Sequence, residues 1–69
     1  MITTRQILKA IDCPILNLYK GDGYYYFVYD DLARGVYDSR SVYAYRLNHL
    51  SFDRWVEEGR DFVQNCRKA

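Results

Sequence analysis

From Ile2 to Pro14 the apolar residues Ile7, Leu8 and Ile11 recur at spacings of one, three and four, while Arg5, Gln6 and Lys9 point largely elsewhere. That period predicts a short helix from about Thr4 to Asp12. Thr3 and Gln6 have capping-box spacing, Ile2 and Ile7 have staple spacing, and Pro14 ends the helix. The pattern then becomes strand-like: "ILNLYK" and "YYYFVY" flank "GDG", and an Asp-Gly pair between extended runs signals a hairpin. Strands are expected near 15–20 and 24–29. With Asp22 and Gly23 as the loop residues, Leu18 faces Phe27 and Leu16 faces Tyr29, with Tyr25 on the same side. A loop one residue longer would exchange the two faces.

The polar stretch "DDLARGVYDSR" reads as a loop or an extended hairpin connection. After it, "SVYAYRL" alternates Val42, Ala44 and Arg46 against Tyr43, Tyr45 and Leu47, which predicts the third strand. From Phe52 onward, Trp55, Val56, Gly59, Phe62, Val63 and Cys66 form one continuous face of an amphipathic helix. Ser51 is placed as its N-cap, with Leu50 and Trp55 at staple spacing. Asp53 suits the positive helix start, and Arg67 and Lys68 suit its negative end.

These elements predict one α+β domain over residues 1–69, of order α-β-β-β-α, with two helices on one face of a three-stranded antiparallel sheet. The expected core is Ile7, Leu8, Ile11, Leu16, Leu18, Phe27, Val42, Ala44, Trp55, Val56, Phe62 and Val63. The element order resembles that of the double-stranded-RNA-binding domain. The second helix, however, opens "SFDRWVEEGRDF", bringing Asp53, Glu57 and Glu58 where that family carries lysines. The likeness lies in order alone and transfers no RNA-contacting residue.

Composition narrows the function classes. The chain is 49% hydrophobic and 17% aromatic with net charge +1, values of a folded chain without the basic surplus of a non-specific nucleic-acid binder. Charge is nonetheless uneven: Asp22, Asp30, Asp31 and Asp38 make the middle acidic, and Arg5, Lys9, Lys20, Arg40 and Arg46 flank it. Cys13 and Cys66 form neither a disulfide framework nor a CxxC metal motif and are expected as buried thiols in a reducing compartment. No run of apolar residues is long enough to span a bilayer and no leader pattern follows Met1, so a cytoplasmic protein is expected.

Chemistry-bearing residues do not converge. Asp30, Asp31 and Asp38 fit no calcium-loop spacing, and His49 has no second histidine or nucleophile setting around it. No catalytic residue, metal or cofactor is therefore assigned, and no small-molecule substrate or membrane contact is inferred. The aromatic excess remains. If Leu16, Leu18, Tyr25, Phe27 and Tyr29 face the helices, Tyr19, Tyr24, Tyr26, Tyr43 and Tyr45 fall on the uncovered side, with Lys20, Arg40 or Arg46 near its edges. Such rings stabilise a thin sheet as cross-strand pairs, and they also suit an interface, because tyrosine brings large area at low entropy. The expectation is a non-catalytic binding or regulatory protein whose partner is another protein or its own copy. Nucleic acid stacked on the same tyrosines with Arg40 and Arg46 is the alternative.

Overall fold

The computed structural model describes residues 2–68 and contains α1 (Thr4–Ile11), β1 (Leu16–Lys20), β2 (Tyr25–Asp31), β3 (Val36–Val42), a 3-10 turn η1 (Leu47–His49) and α2 (Phe52–Lys68). The strands form one antiparallel sheet in the order β1-β2-β3. Both helices lie on the same face of it. The Cα envelope measures 16 Å in its shortest direction, room for these two layers and no third.

Local chemistry sets each boundary. At α1 the Gln6 N–H donates to Thr3 Oγ1 (3.2 Å) and the Thr3 N–H donates to Gln6 Oε1 (3.0 Å), the reciprocal capping box expected from the sequence. The helix stops at Asp12, whose φ of 61° is left-handed and whose N–H still reaches the Leu8 carbonyl. The first hairpin turns at Asp22-Gly23, closed by the Gly21 N–H on the Tyr24 carbonyl at 2.7 Å. Its register pairs Leu18 with Phe27 and Leu16 with Tyr29, as the two-residue loop requires.

The third strand is not where alternation placed it. β3 occupies 36–42 rather than the "SVYAYRL" segment, and the polar stretch forms a second hairpin, the second of its two expected readings. Its turn is made by residues 32–35: Asp31 Oδ1 accepts from the Arg34 N–H (3.2 Å), and Gly35 takes a φ of 68° that a side chain would resist. The chain leaves the sheet beyond Val42, where the Ala44 N–H turns back onto the Val42 carbonyl at 2.9 Å. Tyr43, Tyr45 and Arg46 therefore lie outside any strand, although Ala44 is still buried.

Trp55, Phe27 and Ile7 are fully buried at the centre. The Trp55 ring meets Tyr25 edge-on (5.5 Å between centroids) and Phe27 at 6.3 Å, and its indole N–H donates to the Leu47 carbonyl at 2.7 Å. Tyr25, Tyr29, Cys13 and Cys66 join the core beyond the expected set, while Leu8, Val42 and Val56 are half-buried at its margin. Replacing Trp55 with Ala is expected to cost about 3–5 kcal/mol, enough to abolish the cooperative melt of so small a chain. Trp55→Phe, which keeps a ring but removes the indole N–H that donates to the Leu47 carbonyl, is expected to lower the melting temperature while preserving the transition. An Ala variant melting like the parent would overturn this placement.

Candidate functional site

The ladder fixes which side chains share the uncovered face. Leu16, Leu18, Tyr25, Phe27 and Tyr29 are buried beneath the helices, so their neighbours along β1 and β2 turn away. Crossing the sheet, the uncovered rows read Tyr19, Tyr26, Ser41; then Asn17, Val28, Ser39; then Asp30 and Tyr37. Serine, asparagine and valine occupy the middle, with tyrosine at both ends.

At the end near the first hairpin the rings form a continuous chain. Tyr19 and Tyr26 lie 5.6 Å apart between centroids, Tyr26 and Tyr24 5.9 Å, and Tyr24 and Tyr43 6.2 Å, all tilted by about 40°. Tyr43 reaches the chain from the irregular segment after β3. Tyr45 stands against the tip of the same hairpin, its hydroxyl 3.8 Å from where a side chain at Gly23 would begin. The turn that carries Tyr43 and Tyr45 is held by the Tyr45 N–H, which donates to His49 Nδ1 at 3.2 Å. Tyr19, Tyr43 and Tyr45 are 47%, 86% and 71% exposed, whereas the rings of Tyr24 and Tyr26 are more covered, Tyr26 lying between Tyr19 and Tyr24. The five tyrosines singled out in the sequence are thus gathered at one end of the sheet.

The basic residues are not with them. Arg40 pairs with Phe27 and so points to the helix side, where its guanidinium donates to Asp61 Oδ2 at 2.9 Å, lies 3.9 Å from Glu58 and sits 5.2 Å from the Phe62 ring centre. Lys20 pairs with Tyr25 and shares that side. Arg46 precedes η1 and lines a hollow with Ile2, Tyr25, Leu47 and Asn48, also beside the core face. Across the uncovered rows, Asp30 is the one charged residue. Tyr37, 71% exposed, is a further member absent from the expected set, because the polar pattern of 30–40 does not show which of its residues share a sheet face.

Other chemistry is dispersed. Asp30 and Asp38 stand on opposite faces, and among the described residues no three His, Cys, Asp or Glu side chains are grouped to hold a metal ion. No helix among them is long and apolar enough to cross a membrane. Cys13 and Cys66 are free and buried. Burial foremost pushes the Cys66 thiol above its ordinary range; the nearby Asp38 carboxylate and Cys13 add to this, and Arg40 opposes it. The folded chain therefore holds that proton more tightly than the unfolded one. The resulting stability is present below the ordinary thiol range and is lost as pH rises through the raised value.

No known protein-family model matches the chain, and no curated protein or solved structure is detectably similar to it.

Two outcomes follow from these placements. Arg40→Ala is expected to lower stability by about 1 kcal/mol, through the lost ion pair and the lost cover over Phe62, while leaving any contact made by the tyrosine face unchanged. Parallel thermal melts and binding measurements on this variant check both halves. Cys66 is expected to react with an aromatic disulfide reagent at neutral pH only at the rate of opening of the fold, so its labelling should accelerate with denaturant. Rapid stoichiometric labelling of the native chain would contradict its burial.

Proposed function

We propose that this chain is a non-catalytic protein-binding or small regulatory module that acts through the uncovered face of its sheet. The observation that carries the reading is the linked chain of Tyr19, Tyr26, Tyr24 and Tyr43 on a face whose rows include a single charge. A protein partner is favoured by rings that are held in place by one another before contact, so that little side-chain entropy is lost on binding. Nucleic acid would need cations beside the rings to neutralise phosphates, and Arg40, which the alternative relied upon, is engaged with Asp61 on the other side. Two free, buried thiols accord with a reducing compartment, and the reading places the module in the cytoplasm.

The test is an affinity capture from source-cell lysate with the wild-type chain and with a Tyr24→Ala, Tyr26→Ala variant, each with and without nuclease. A protein retained by the wild type, reduced at least about tenfold by the variant and indifferent to nuclease is the expected result, a change of about 1.4 kcal/mol in affinity. The variant should melt close to the parent, because cross-strand aromatic pairs contribute only about 0.2–1 kcal/mol each. A large loss of stability with unchanged capture would assign the rings to the framework, and loss of the captured species on nuclease treatment would favour nucleic acid.

A further inference from the structure

The uncovered face matches itself chemically, and that narrows its occupant. Tyrosine and serine hydroxyls both donate and accept, so two identical faces of this kind can satisfy each other, which a face of carboxylates or guanidiniums could not. A twofold contact also brings groups near the axis against their own copies, and the central row of Asn17, Val28 and Ser39 holds no charge to repel itself. At 150–250 Å² per ring, Tyr19, Tyr37 and Tyr43 alone expose on the order of 400 Å² at their observed exposures. That is about half of the roughly 800 Å² that each partner gives to an interface of standard size, before the central row and the remaining rings are counted.

We propose that the face is covered by a second copy of this chain. The two sheets stack about a twofold axis that lies between them and crosses the strands at the level of Val28. Such an axis carries each Asp30 away from its own symmetry mate and toward the tyrosine end of the other copy, where phenolic hydroxyls can donate to the carboxylate. The assembly is four layers deep, helices outside and two sheets within, with the sheets about 10 Å apart and inclined by about 30° as twisted sheets pack. This inference rests on the reading of the face as a protein contact and specifies its partner.

Sedimentation equilibrium of the wild-type chain from about 1 μM to about 1 mM, a range that brackets interfaces of modest strength, reads the association directly. Val28→Asp and Val28→Lys place a like charge at the axis without touching the core, since Val28 faces away from the helices. Each is expected to raise the dimer dissociation constant at least about 100-fold while melting as a folded chain, and an equimolar mixture of the two is expected to restore association. Ser39→Asp and Ser39→Lys, in the same row, repeat the test if either Val28 variant fails to melt cooperatively. A wild-type chain that stays monomeric throughout, a Val28→Asp chain that dimerises like the parent, or a mixture that does not reassociate overturns the proposal. If the wild type is monomeric yet a cellular protein is still captured through Tyr24 and Tyr26, the second copy is excluded while the protein-binding reading stands. If that capture is also indifferent to the tyrosines, both fall.

Discussion

At Gly59 the backbone of α2 comes directly against Ile11 of α1 and Phe27 of β2, and this packing depends on the missing side chain there. A Cβ at this position would overlap the tip of Ile11 and press at 3.2 Å on Phe27. Glycine inside a helix costs roughly 1 kcal/mol relative to alanine, so its presence in the middle of α2 is a local loss accepted for the approach it permits. With the two helices drawn together over Phe27, both apolar stripes are buried on one side of a narrow sheet. Nothing in the remaining described chain is placed to cover the other side.

Around that contact the two-layer body is fastened mainly by rings and by cations placed on helix ends. Trp55, Tyr25, Phe27, Phe62 and Tyr29 make a run of tilted and edge-on contacts through the core. The Arg60 side chain donates to the Ala10 carbonyl in the last turn of α1, and Arg34 from the second hairpin donates to the Arg67 carbonyl at the end of α2. Each arginine meets the negative end of a helix from a different element, so helix termini serve as joints between elements. Aromatic residues thus do different work on the two faces: interlocking beneath the helices, and standing open above.

Much of this was legible in the sequence, for reasons that can be named. The α1 capping box, the Asp-Gly turn and the face of α2 are short-range signals that tertiary contacts did not oppose, and the turn length alone fixed which tyrosines of β1 and β2 face outward. β3 was not legible. Its residues Tyr37, Asp38, Ser39, Arg40 and Ser41 show no buried alternation, since the helix-side positions Asp38 and Arg40 lie toward the sheet edge, where a polar group can still reach water or an ion partner. The alternation of 41–47 is the stronger strand signal, although it belongs mostly to a turn. The shift of the strand to 36–42 places Arg40 on the helix side and adds Tyr37 to the uncovered face, while Tyr43 joins the face through space.

The composition of β3 also sets how firmly the third strand is attached. A strand with one buried face is locked in register because a slip of one residue would expose its apolar set. The middle of β3 is polar on both sides, with Val36 and Val42 as half-buried anchors at its ends. Its alignment is set mainly by the Gly35 turn and those two anchors, to which the Arg40 ion pair with α2 adds a small increment. By burial, β3 is therefore the least secured of the three strands, and opening it costs less than unfolding the whole. Were β3 to open first, β2 would become the new edge of the sheet.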